Sequence, residues 1–187
     1  MGYMEHIQQF KPSNDQEDTD KKVILSFIQQ HGDHALLRDN PVAHITSSGF
    51  LMNRQRDKVL LIHHNIRNTW AWTGGHADGD GDLLHVAIKE ASEETGAVAI
   101  KPLIREIASL DILPVFGHHR RGCYVNAHLH LSVAYLLICD EREKIRPQFS
   151  ENTDVAWFPT RYFTDDHFDP LDVYLYHKLI DRAQSLR

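Results

Sequence analysis

Two cysteines, Cys123 and Cys139, are all that 187 residues contain. That excludes a disulfide framework and any cysteine-based zinc-finger spacing, and it fits a reducing cytoplasm. Long apolar runs are lacking too. The longest, Val133 to Cys139, is far below the roughly 20 residues that span a bilayer. Met1 to Phe10 has no basic start followed by an apolar core, so no secretory leader is expected. Positive charge is in deficit: the net charge is −6, whereas proteins that bind nucleic-acid polymers draw affinity from basic patches. A small anionic substrate held through metal ions stays compatible with that balance. No internal repeat or low-complexity segment occurs. With 42% hydrophobic residues the chain is long enough for one well-buried domain and too short for two comfortable ones. The expectation is a soluble, cytoplasmic protein with no membrane partner. Its oligomeric state is open, a homodimer included.

What the chain does have is concentrated between Gly74 and Ala97. Gly74-Gly75 opens a glycine- and aspartate-rich loop that feeds a short helical pattern. Asp82 is an N-cap, Leu84, Ala87, Ile88 and Ala91 repeat at i, i+3, i+4, i+7, and Gly96 stands where a left-handed C-terminal cap belongs. The spacing predicts a helix from Leu83 to Thr95. At about 100° per residue, Glu90, Glu93 and Glu94 share one arc beside the apolar stripe. Like charges at i, i+4 repel, so a counter-charge is expected. Lys89, four residues before Glu93, is one source and a divalent cation is another. Oxygen-only ligands suit a hard ion such as Mg²⁺ or Mn²⁺, which binds through one or two carboxylates plus substrate phosphates. Gly75 would let a backbone carbonyl approach the same ion.

The flanking segments fill in an α/β pattern. Val23, Ile24, Phe27 and Ile28 predict an N-terminal helix capped by Thr19 or Asp20 and stopped by Gly32. Ala43 to Asn53 and Val59 to His63 read as a hairpin, and Trp70 to Thr73 as a strand running into the double glycine. Val98 to Leu113 is one extended stretch or two short strands, and Pro114 to Gly122 a loop whose Arg120 and Arg121 could clamp a distal phosphate. Tyr124 to Cys139 is a strand that puts His128 and His130 on one face. With no third nitrogen or sulfur ligand at a recognisable spacing, this pair is assigned to substrate phosphate or base, or to a satisfied structural pair. Val155 to Phe158 is a further strand, preceded by Glu151. Asp169-Pro170 starts a closing helix with Leu171, Tyr174, Leu175 and Leu179 on its buried side.

The central stretch resembles the signature of the Nudix hydrolases: a glycine, five residues, a glutamate, seven residues, then Arg-Glu-apolar-x-Glu-Glu-x-Gly-apolar. Laid from Gly75, it sets Glu90, Glu93-Glu94, Gly96 and Ala97 on the fixed positions. Gly81 replaces the loop glutamate, flanked by Asp80 and Asp82, and Lys89 replaces the arginine. The resemblance implies a mixed sheet sandwiched between helices, with residues 1–40 an N-terminal helical extension and 41–187 the hydrolase domain. It implies a Mg²⁺- or Mn²⁺-dependent hydrolysis of a nucleoside diphosphate linked to another moiety. Gly75, Glu90, Glu93 and Glu94 would then hold the metal. Glu93 or Glu151 would be the base, Lys89 would orient Glu93, and Arg120, Arg121, His128 and His130 would lie on the substrate side. Two other readings are a nucleotide or sugar-diphosphate sensor without turnover, which the glycine at 81 favours, and a prenyl-diphosphate isomerase. The second is disfavoured by the intact Glu-x-x-Glu-Glu pattern.

Overall fold

The computed structural model describes residues 2–120 and 122–186. Two helices, α1 (Tyr3–Gln9) and α2 (Asp15–His31), lead through a 3₁₀ turn (Gly32–Leu36) into β1 (Ala43–Asn53). Then follow β2 (Lys58–His64), β3 (Thr69–Ala71), β4 (Thr73–His76), α3 (Leu83–Thr95), β5 (Lys101–Pro102) and β6 (Ser109–Val115). The hairpin β7 (His118–Arg120) and β8 (Cys123–Val125), the long β9 (His128–Cys139), β10 (Asn152–Pro159) and α4 (Pro170–Ser185) complete the chain.

The sheet is mixed. Its central pair, β1 and β9, is parallel over the full length of β1, from Ala43 opposite Leu129 to Asn53 opposite Cys139. The other pairings are antiparallel: β2 and β4 add to β1, β3 and β10 to β2, and β5 and β6 to β9. Every residue of β1 is buried, as a central strand covered on both faces requires. Its alternation assigns the two faces. Ile45 and Leu51 join Ala87 and Ala91 of α3 and Ile24 and Ile28 of α2 in one core. Phe50 and Met52 join Leu175, Tyr176 and Leu179 of α4 in the other. The result is an α/β sandwich in which α3 and α4 lie on opposite faces of one sheet.

Helix α3 has the predicted limits. Asp82 accepts from His85 N–H at 3.0 Å, and Gly96 ends the helix in the left-handed region at φ 71°. Elsewhere the pattern and the structure part company. The N-terminal helix begins at Asp15, because the side chain of Asn14 accepts from Glu17 N–H and caps it one turn earlier than Thr19. The segment read as a loop around His118 forms the β7–β8 hairpin, which also splits Tyr124 to Cys139 into two strands. On α4 the buried stripe is Leu175, Tyr176, Leu179, Ile180 and Ala183, while Leu171 and Tyr174 are exposed. The second core takes the stripe through Leu175, Tyr176 and Leu179, which leaves Leu171 and Tyr174 turned to solvent.

Candidate metal-dependent active site

Two strands and a helix build the site. Antiparallel pairing sets Gly75 opposite Ser47, and Ser47 points toward α3, donating its hydroxyl to the Leu83 carbonyl at 2.5 Å. Gly75 therefore faces α3 as well. A Cβ there would stand 2.5 Å from the Glu90 carboxylate, so only glycine lets the backbone and that side chain meet. One turn on, Glu94 is buried and accepts the Gly74 N–H at 3.0 Å. The amide of Asn152 donates to the Glu94 backbone carbonyl at 3.0 Å. This bond fastens the start of β10 to the end of α3 and carries its neighbour Glu151 to the same corner.

The electrostatics are those of a site short of positive charge. Burial pushes the Glu94 carboxyl well above its ordinary value. The Gly74 N–H opposes that, while the charges of Glu90, Glu151 and Glu93 add to it. Burial raises Glu90 too, against the pull of Lys89 and with the push of Glu93 and Glu151. Lys89, half exposed, is the lysine at hand. Its Nζ lies 3.4 Å from Glu90 and 3.7 Å from Glu93, so it bridges the two carboxylates. The charges of Glu93 and Glu151 thus reach both Glu90 and Glu94 at one corner of the fold. A donor set of carboxylate oxygens beside an approachable backbone carbonyl fits a hard divalent cation.

The missing loop glutamate has no local stand-in. Asp80 is committed to His85, at 3.1 Å, and to the Asp82 N–H, at 2.8 Å, and Asp82 caps α3. Gly81 instead lies in a depression against Tyr3 of α1, beside Leu36, Leu37 and Gly79.

Not every expected residue joins this corner. Arg120 ends β7, but its side chain and all of Arg121 lie outside the described residues. His128 and His130 alternate with Leu129 and Leu131 and project to the sheet face that carries Phe50, away from α3. Arg38, which no sequence signal marks, makes a two-pronged ion pair with Asp78. Its charge is felt by Glu90 and Glu151.

The NUDIX domain profile matches residues 43–179. The chain belongs to the Nudix family. No curated protein matches the chain. Solved structures of similar fold include a NUDIX-family hydrolase from Clostridium perfringens, 19% identical with a TM-score of 0.52, covering 74% of this chain and 96% of that one. The MutT protein of Methanosarcina mazei Go1 is 17% identical with a TM-score of 0.53, over 78% of this chain and 98% of its own. RenU, a Nudix hydrolase of M. smegmatis, is 16% identical with a TM-score of 0.53, over 77% and 88%. Membership of the Nudix family places this chain among hydrolases acting on phosphoric anhydrides. Among the described residues no helix is long and apolar enough to cross a membrane.

Proposed function

We propose that this Nudix protein hydrolyses a nucleoside diphosphate linked to another moiety, with Mg²⁺ or Mn²⁺, in the cytoplasm. The observation that carries the reading is the pair of buried Glu94 and partly buried Glu90, set against Gly74-Gly75 with raised carboxyl pKa values and half-exposed Lys89 beside Glu90. Two carboxylates kept from water in this way are costly unless a cation joins them. Glu90, Glu94, Glu93 and the Gly75 carbonyl would hold the ion. When bound, such a cation neutralises charge building on the phosphoryl oxygens and lowers the pKa of the attacking water.

The remaining steps belong to side chains. Glu93 is more than half exposed at the mouth of the site and within 3.7 Å of Lys89, placed to accept the water's proton while Lys89 restrains its swing. Glu151, whose charge reaches both Glu90 and Glu94, is the alternative base. Arg120, the last residue of β7, and Arg121, next in the sequence, are proposed for the distal phosphate, where a guanidinium fork fits. Residues 1–40 are proposed as an extension to a hydrolase domain of residues 41–187; α1 meets Gly81 from that extension.

The test is a screen of nucleoside triphosphates, dinucleoside polyphosphates, nucleotide sugars and dinucleotide cofactors with Mg²⁺ or Mn²⁺, reading phosphate after phosphatase coupling. Turnover of one class supports the proposal and names the leaving group. Tight binding of one class without turnover of any would overturn it in favour of a sensor.

A further inference from the structure

On the sheet face opposite the glutamates, four histidines from three strands meet at one point. His44 is the second residue of β1, and parallel register pairs it with His130 of β9. His128, two residues earlier, shares the face of His130, and His76 ends β4, where it pairs with Thr46 of β1. The rings pack together: His44 has centroids at 4.9 Å to His76, 4.9 Å to His128 and 5.3 Å to His130, and His76 lies 5.0 Å from His130. One ring nitrogen from each of the four falls within 4.8 Å of the other three.

We propose that His44, His76, His128 and His130 form a transition-metal site, of the Zn²⁺ class, separate from the carboxylate site. Two geometric observations carry it. First, Nε2 of His44 and Nε2 of His130 are buried and have no hydrogen-bond partner, a state that costs free energy unless a ligand completes it. Second, the Nδ1 atoms of His44 and His128 face the backbone carbonyls of Asn40, at 3.3 Å, and Asn126, at 2.9 Å. An acceptor there obliges Nδ1 to carry the proton, which leaves Nε2 as a lone pair, and such outer bonds orient metal-bound imidazoles.

The donor set chooses the ion. Imidazole nitrogens suit zinc, copper, nickel and iron and are poor ligands for Mg²⁺. Four of them fill a tetrahedral zinc, leaving no position for water, so the site would be structural. Tetrahedral zinc with nitrogen ligands sets the nitrogens about 3.4 Å apart, within reach of small rotations of these rings. The ion would tie the start of β1 and the start of β9 to His76, the residue after Gly75. It would thereby fix the backbone that faces Glu90. The family reading of the glutamates could fail and this site would stand, since none of its residues is shared.

The chelator-treated protein, titrated calorimetrically with Zn²⁺ in excess Mg²⁺, should take up one ion per chain. Co²⁺ in its place should give the visible absorption of a tetrahedral nitrogen site. His130→Asn should weaken Zn²⁺ binding by about tenfold or more. His128→Ala, at a less buried position, should do the same if His130→Asn does not fold. Glu90→Gln with Glu94→Gln should leave Zn²⁺ binding intact. Absence of uptake by the parent protein, uptake indifferent to the histidine variants, or uptake lost with the glutamate pair would each overturn the proposal.

Discussion

Glu17 and Glu94 are both buried glutamates on helices, 0% and 3% exposed, and the fold treats them in opposite ways. Glu17 accepts from both guanidinium nitrogens of Arg182 at 3.0 Å, from Ser13 N–H at 2.8 Å and from the hydroxyls of Ser13 and Ser109. Lys178 stands 3.5 Å away and also pairs with Asp111 at 2.5 Å. Burial alone would raise the Glu17 carboxyl. The bonds and charges of Arg182, Ser13 and Lys178 outweigh it and bring the pKa below its ordinary value. Glu94 receives one backbone N–H and three neighbouring negative charges, and its pKa goes up. A buried carboxylate that exists to hold a structure together comes with its cations built in, here tying α2 to α4. One whose cation must arrive from solution is left short of charge. The contrast marks which cluster is structural and which is a site.

The sharpest way to break the comparison is through rate. Glu93→Gln keeps size and most contacts, so substrate affinity should stay within an order of magnitude. Turnover at saturating Mg²⁺ should fall by about 10²–10⁴, the contribution of a positioned general base. Steady-state kinetics beside a binding measurement decide it, and a turnover number within about threefold of the parent's would pass the role to Glu151.

Stability should respond the other way round. Glu17→Gln leaves Arg182 and Lys178 facing a neutral amide in the interior, and urea denaturation should show a loss of about 3–5 kcal/mol. Glu94→Gln removes a repelled charge and should cost under about 1 kcal/mol without metal. Equal losses at the two positions would erase the distinction.

Acid adds a weaker signature. Because the folded pKa of Glu17 lies below 4.5, the stability it contributes is present above that value. It is lost as pH falls through the depressed folded pKa. Denaturation midpoints taken from about pH 6 to pH 3 should fall less steeply in Glu17→Gln than in the parent.

Much of the carboxylate site was legible in the sequence because it is local. The 3.6-residue period, the Asp82 cap and Gly96 delimit α3, and the period also puts Glu90 and Glu94 on one side of it. That Gly75 could bring a backbone carbonyl to the ion follows from the residue type, but that it presses on Glu90 emerges only from the pairing of β4 with β1. The histidine cluster was out of reach for the converse reason. His44, His76 and the His128/His130 pair are separated by dozens of residues and meet through strand register alone, and no spacing rule carries register between distant strands. The same holds for Arg38 and for the position of α4, whose apolar pattern fits two stripes until the core chooses one.

The central claim is that Glu90 and Glu94 await a divalent cation, and thermal melting tests it most directly. Millimolar Mg²⁺ or Mn²⁺ should raise the melting temperature of the parent protein, since an ion at about 100 times its Kd stabilises the folded state by about 2.7 kcal/mol. The rise should persist in Glu17→Gln and vanish when Glu90→Gln and Glu94→Gln are combined. A rise that survives the double substitution, or no rise in the parent, would contradict the account.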